Sequence, residues 1–334
     1  MATDVRTRLL AGVTIPAHPL ALTPGRAVDE RAQRALTRYY LASEVDGLAV
    51  GVHTTQFELH DDLGMLAAVL ALAATPGPLL IAGVVGDTAQ AVREAEVAAR
   101  TGYDAVLLCP FGMSDSGPDA QLARARAVGE VLPVIGFALQ EAVGGRPLPR
   151  SYWSRLFDLD AVVGVKAAPF DRYRTNDIAR ALLEHDRWDR IALLTGNDDT
   201  IVTDLVTPWR AVVGGEERTL RVSGGLLGQW AVGTRAAVAV RRRAIDLTDE
   251  LLATGADLVE VNAAVFDVAH GFAGCVAGVN EVLRQQGLLA SSLCLAEDEV
   301  LSPGQSELIA DVRKRFPALL DEEFVEEHRN AWLD

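Results

Sequence analysis

The stretch Ala161-Val162-Val163-Gly164-Val165-Lys166 decides how this chain is read. Small and β-branched apolar residues follow one another without alternation and end on a lysine. Such a run reads as a strand buried on both faces. A lysine at its carboxyl end falls where open α/β sheets and α/β barrels keep their chemistry. Lysine is scarce here. Only Lys166 and Lys314 occur among the 31 residues counted as Lys or Arg. Arginine stays charged near neutral pH and cannot serve as an amine nucleophile, whereas a desolvated lysine can. The plain alternative is a strand-end lysine in a rim salt bridge.

Outward from this stretch, apolar strand-like runs alternate with helical patterns eight times. The strands are expected at residues 12–15, 47–52, 79–85, 105–108, 133–137, 161–166, 190–194 and 219–222. Helices are expected at 29–43, 61–74, 89–100, 120–131, 151–157, 175–184 and 201–213. Eight β/α units in about 240 residues match the (β/α)₈ barrel in size. The fold class is therefore α/β, a (β/α)₈ TIM barrel over residues 1–243. Residues 244–334 read as helices only (246–253, 266–284 and 306–316) and form an appended C-terminal bundle packed on the barrel.

The bulk numbers narrow the function. The chain has 334 residues, is 49% apolar and carries a net charge of -15. That charge argues against nucleic acid or an anionic membrane as partner. Cys109, Cys275 and Cys294 form no paired framework, which suits a reducing compartment, and a cytoplasmic location is expected. Residues 1–10 lack the apolar core of a signal peptide. The longest apolar run is broken at Thr75-Pro76-Gly77-Pro78, so no membrane span is expected.

Several motifs sit at the ends of the expected strands: His53-Thr54-Thr55 after the second, Lys166 ending the sixth, and Thr195-Gly196-Asn197-Asp198-Asp199 after the seventh. With the helical C-terminal extension, they resemble the dihydrodipicolinate synthase / N-acetylneuraminate lyase family over nearly the whole chain. The resemblance implies a class I aldolase or lyase. Lys166 would form a Schiff base with pyruvate or another 2-oxo acid, and Thr54 and Thr55 would hold the acid's carboxylate. A homodimer or homotetramer is expected on the same ground, and no cofactor or metal. Departures from the family pattern are plain. The usual strand-five Tyr-Asn-x-Pro segment reads Gly136-Phe137-Ala138-Leu139, and the usual Gly-Thr-Thr-Gly-Glu reads His53-Thr54-Thr55-Gln56-Phe57. Without the phenol another group must move protons, so lysine-biosynthetic and sialic-acid chemistry are not expected.

The candidates for that role are His53 and Glu141, with Gln140 and Cys109 behind them. Phe137 is expected beside Lys166, where burial would lower the amine's pKa. Asn197 and Asp198 could contact the distal part of a substrate, although Asp and Asn before a helix are also ordinary caps. Asp198 and Asp199, with Asp87, could instead hold a metal by hard oxygen ligation. Ser223-Gly224-Gly225 is expected to end the eighth strand, Gly224 allowing close approach of substrate. Asp267 and His270 fall on one face of an expected helix away from the barrel mouth. Three function classes remain: a Schiff-base lyase, a non-catalytic 2-oxo-acid-binding barrel, and a metal-assisted barrel enzyme using the Asp198/Asp199 segment.

Overall fold

The structure is a computed structural model that describes residues 2–113 and 116–334. Its centre is a parallel barrel. Seven strands come first: β1 (Val13–Pro16), β2 (Gly47–Val50), β3 (Leu79–Val84), β4 (Ala105–Leu108), β5 (Val134–Leu139), β6 (Val162–Ala168) and β7 (Ala192–Thr195). An antiparallel hairpin, β8 (Trp209–Val213) and β9 (Glu216–Leu220), intervenes before β10 (Gly224–Leu227) completes the ring. The hydrogen-bonded order is β1-β10-β7-β6-β5-β4-β3-β2. A parallel bridge from Ala17 to Ala49 links β1 to β2, and Thr14 N–H donates to the Asp46 carboxylate at 2.8 Å below it.

Helices separate the strands: α1 (Ala2–Leu10), α2 (Glu30–Ala42), α3 (Leu63–Ala73), α4 (Thr88–Thr101), α5 (Pro118–Gly129), α6 (Arg150–Phe157), α7 (Arg172–Leu183), α8 (Ile201–Val206) and α9 (Thr234–Arg243). Four more follow: α10 (Asp249–Val265), α11 (Cys275–Gln285), α12 (Gln305–Arg315) and α13 (Glu322–Leu333). Side-chain caps start many of them. Asp29, Asp62, Asp87 and Asp171 each accept a backbone N–H from the first turn of the helix that follows. No helix among the described residues is long and apolar enough to cross a membrane.

The strands alternate between two apolar clusters. Ile15, Ile81, Leu107, Ile135 and Leu194 face the lumen, while Leu48, Leu80, Val106, Val134 and Leu193 meet the outer helices. One irregularity matters. On β6, Val134 pairs with Val162 but Ile135 pairs with Gly164, so β6 carries one extra residue at Val163. Val163 belongs to the lumen cluster and Val165 to the outer one. A side chain added at Gly164 would approach Leu9, also of the lumen. The bulge therefore changes the inward phase from odd to even, and Lys166 pairs across Phe137 and Leu194, which are both lumen residues.

The structure corrects four expectations. The eighth strand is Gly224–Leu227, not 219–222. Residues 209–220 form the hairpin, whose alternating exposed and buried positions suit one solvated face, so helix α8 is shorter than 201–213. Helix α10 runs unbroken through Gly255, where α8's Val202 packs so close that a β-carbon would lie 3.0 Å from it. The expected helix at 266–284 is instead a turn followed by α11. That turn brings Phe266 and Phe272 to the barrel mouth.

Residues 1–10 do more than lack an apolar core. Val5 and Leu9, one helical turn apart, are buried with the lumen side chains. Arg8 donates to Gly77 O at 2.7 Å, just before β3, so α1 closes the amino-terminal floor of the barrel. Leu9→Ala is expected to lower the unfolding free energy by about 2–4 kcal/mol. Urea denaturation measures this, and a loss well under 1 kcal/mol would show that α1 does not seal the core.

Candidate active site

Lys166 projects into a small inner cavity of about 50 Å³ at the carboxyl end of the barrel. Its Nζ stands 4.3 Å from the centroid of the Phe137 ring. Among the described residues no carboxylate reaches it within ion-pair distance. Burial pushes its pKa down to about 8, against smaller upward pulls from Asp198 and Cys109. Gly196 at the end of β7 makes room for the lysine's alkyl chain: a β-carbon there would fall 2.3 Å from Lys166 Cε.

The 3-10 turn His53–Thr55 follows β2 and forms one wall. Thr54 lines the cavity and donates its hydroxyl to Ala17 O at 2.8 Å. Thr55 has a different task. Its hydroxyl donates to His18 O at 2.7 Å and accepts from Gly51 N–H and Val52 N–H at 2.9 and 3.2 Å. That oxygen is fully used in joining the β1 and β2 ends, so the two threonines split into a wall residue and a brace. His53 also lines the cavity. Burial, then the charge of Lys166, hold its pKa down at about 4, so the imidazole is neutral at physiological pH.

Asp198 is the carboxyl group nearest in character to a proton carrier. It lines the same cavity as Lys166 and is 8% exposed. Burial raises its pKa to about 7, opposed by the Gln229 N–H, which donates to Oδ1 at 3.0 Å, and by Lys166. A group poised near neutrality suits both donation and acceptance of a proton. The sequence pointed to Asp198 as a distal contact; its deep burial, which only the fold supplies, gives it the other character. Its neighbour Asn197 turns away. The Asn197 amide accepts from Phe170 N–H at 3.0 Å and donates to Thr175 Oγ1 and Asp204 Oδ2 at 3.1 and 2.9 Å. It positions the loop after β6 rather than meeting the cavity.

Other candidates lie elsewhere. Glu141 is exposed, lines the outer rim and pairs with Arg174 at 2.8 Å. Gln140, beside it, is buried and lines the inner cavity. Cys109 is buried, and burial pushes its thiol up to about 12, so it stays protonated. Gly224 is corrected outright: it pairs with Val13 at the amino-terminal end of the barrel, opposite the mouth. Asp87 caps α4, and no three His, Cys, Asp or Glu side chains among the described residues converge on a common point. The Asp267–His270 contact is real, at 2.6 Å, but it stabilises a tight turn in which Asp267 also accepts from Gly274 N–H. Sequence reading missed Phe170, Phe266, Phe272 and Cys275, which cover Lys166 from the β6 loop and the C-terminal helices. Nothing in their spacing signals this, because the contact is made by tertiary packing.

No protein-family profile matches the sequence, and no curated protein does. Solved structures do match in shape. N-acetylneuraminate lyase from Fusobacterium nucleatum, solved with pyruvate, superposes with a TM-score of 0.72 at 19% identity, covering 92% of this chain and 98% of that one. Dihydrodipicolinate synthase from Bacteroides thetaiotaomicron gives 0.74 at 15%, covering 92% and 99%. A variant 2-keto-3-deoxygluconate aldolase from Sulfolobus solfataricus gives 0.72 at 15%, covering 94% and 99%. The chain shares their fold. At these identities the likeness is one of architecture, including the C-terminal helices beyond the barrel.

The raised pKa of Asp198 carries a stability consequence. Its folded value lies above its unfolded one, so folding takes up a proton between about pH 4 and pH 7. The stability this represents is complete below the unfolded pKa and is lost as pH rises through the folded one. Asp198→Asn, which can keep the Gln229 contact, is expected to stabilise the protein by about 1–3 kcal/mol at pH 8 and to leave it nearly unchanged at pH 4. Equal effects at both pH values in chemical denaturation would show that the carboxyl group does not carry the burial cost.

Proposed function

We propose that this protein is a class I aldolase or lyase of the dihydrodipicolinate synthase / N-acetylneuraminate lyase family, acting on pyruvate or a similarly small 2-oxo acid through an imine on Lys166. The observation that carries the reading is a buried lysine, its pKa lowered to about 8, at the carboxyl end of the sixth strand and inside a cavity of about 50 Å³. A cavity that small admits a compact acid, while the bulk of any second substrate must lie outside it. The similarity in fold to three lyases and synthases, one solved with pyruvate, supports the same conclusion.

The chemistry follows from the groups present. Neutral Lys166 attacks the ketone carbon and, after loss of water, leaves a protonated imine. That cation is an electron sink, so a proton can leave the adjacent methyl carbon to give an enamine. In place of the missing phenol, the Asp198 carboxylate takes the proton, with neutral His53 on the facing wall. The enamine carbon then attacks an aldehyde, and Asp198 returns a proton to the new alkoxide. Water cleaves the imine to release a 4-hydroxy-2-oxo acid and free Lys166. Cleavage runs the same steps backwards. Thr54 seats the acid's carboxylate by turning its hydroxyl from Ala17 O, whereas Thr55 keeps the wall in place.

Borohydride trapping in the presence of pyruvate is expected to modify Lys166, as read by peptide mass spectrometry, and Lys166→Arg is expected to abolish the adduct. The trapping rate should rise about tenfold per pH unit below pH 8 and level off above it, because only the neutral amine attacks. In Asp198→Asn the inflection should move to lower pH, since the carboxylate's charge is one of the pulls raising the lysine pKa. Turnover in that variant should nevertheless fall by about 10²–10⁴. Full turnover in Asp198→Asn would remove Asp198 from the proton path, and trapping that survives in Lys166→Arg would remove Lys166.

A further inference from the structure

Outside the lysine cavity, and sharing Phe170, Phe266, Phe272 and Asp198 with it, opens a chamber of about 450 Å³. The Phe170 and Phe272 rings meet edge to face at 5.8 Å. Both residues hold left-handed backbone, φ 50 and φ 71. That conformation costs a residue with a β-carbon about 1–3 kcal/mol and persists only where the surroundings enforce it. They do enforce it. Asn197 Oδ1 accepts from Phe170 N–H at 3.0 Å, and Asp267 O accepts from Phe272 N–H at 3.0 Å. Asp267 is itself left-handed and is fixed by Ser302 Oγ, which donates to its carboxylate at 2.5 Å. The fold thus spends backbone strain to keep two aromatic rings at the junction of cavity and chamber.

The polar groups around the chamber are selective. Its one basic lining residue, Arg174, already pairs with Glu141 at 2.8 Å and Asp171 at 3.6 Å. With Glu141, Asp171 and Asp199 set against that one arginine, a phosphate or carboxylate would meet net negative charge even with Asp198 protonated. Of the lining side chains, Asn262 alone has a buried polar atom without a partner among the described residues, its Oδ1. Asn262 is 3% exposed. Its Nδ2 donates to the Asp198 carbonyl at 2.7 Å, which fixes the amide's orientation and leaves the oxygen as an acceptor. A buried acceptor left unmade is costly, so a donor on the ligand is the natural complement.

We infer that this chamber receives an aldehyde bearing an aromatic ring with a single hydrogen-bond donor, rather than a polyhydroxylated or anionic aldehyde. This rests on the Schiff-base reading for its chemistry. The enamine carbon bonds to the aldehyde carbon, the carbonyl π bond breaks, and its oxygen takes the Asp198 proton. Water then releases a 4-aryl-4-hydroxy-2-oxo acid. The ring packs against Phe170, Phe266 and Phe272, and its donor meets Asn262 Oδ1.

The binding half can be tested without the covalent half. Benzyl alcohols carry the ring but no carbonyl, so their binding does not depend on Lys166. Isothermal titration of the intact protein is expected to show 3-hydroxybenzyl alcohol binding at least tenfold tighter than erythritol or glycerol 3-phosphate. Phe272→Ala should weaken it several-fold, and Phe272→Leu, which keeps volume but removes the ring, serves if the alanine variant misfolds. Asn262→Leu should erase the difference between 3-hydroxybenzyl alcohol and benzyl alcohol. Erythritol or glycerol 3-phosphate binding as tightly, or aryl binding indifferent to both Phe272 variants, would overturn the inference. Aryl binding without pyruvate trapping would keep the site and sink the Schiff-base reading. Trapping without aryl preference would do the reverse.

Discussion

One extra residue in one strand sets the chemistry of this barrel. Strict alternation from Val162 outward would turn Lys166 into the helix layer, where an ammonium has no water and no partner. The bulge at Val163 reverses the phase, so Lys166 enters the lumen between Phe137 and Leu194. Everything else at the site answers to that placement. Gly196 is bare because the lysine chain occupies the space a β-carbon would need. The amine's pKa falls because its neighbours are apolar. The floor beneath it is sealed by Leu9 rather than left to solvent.

Burial then does for the carboxyl group the opposite of what it does for the amine. Each loses its charged form more easily than in water, so a lysine ordinarily charged and an aspartate ordinarily ionised are brought toward each other, near 8 and near 7. Their mutual attraction works against the convergence and limits it. Two groups able to exchange protons near neutrality now face one cavity. With Phe137, not a phenol, beside the amine, the site still holds groups able to move protons. The Phe137 ring adds to the desolvation that lowers the amine's pKa.

The barrel was legible in the sequence because parallel strands buried on both faces write themselves as uninterrupted apolar runs. Lys166 was legible because it ends such a run in a chain whose only other lysine is Lys314. The eighth strand was not: Gly224-Gly225-Leu226-Leu227 is short and glycine-rich, and the preceding hairpin has the stronger strand pattern. The bulge was equally hidden, since Val-Val-Gly-Val reads the same with or without an extra residue. Among site residues, Thr54 and Thr55 looked equivalent in sequence, and only their hydrogen bonds separate a cavity wall from a brace. Asn197 and Asp198 likewise stand side by side in the chain and point to different tasks. Asp198's rise toward 7 depends on a degree of enclosure supplied partly by α10 and the turn after it, some sixty residues away.

That enclosure explains why the C-terminal helices are more than a support. Asn262 of α10 holds the Asp198 backbone, and Phe266 and Phe272 roof the lysine. A barrel alone would leave its mouth open, and water would return both pKa values toward their ordinary ranges. Closing the mouth with polar side chains would have the same effect on a smaller scale. Aromatic side chains are a cover that excludes water while leaving a flat, compressible entrance, and the fold accepts left-handed backbone at Phe170 and Phe272 to aim them. The rings that cover the amine thus also line the outer chamber. On the Schiff-base reading we propose, the rings that keep Lys166 desolvated would also favour an apolar partner.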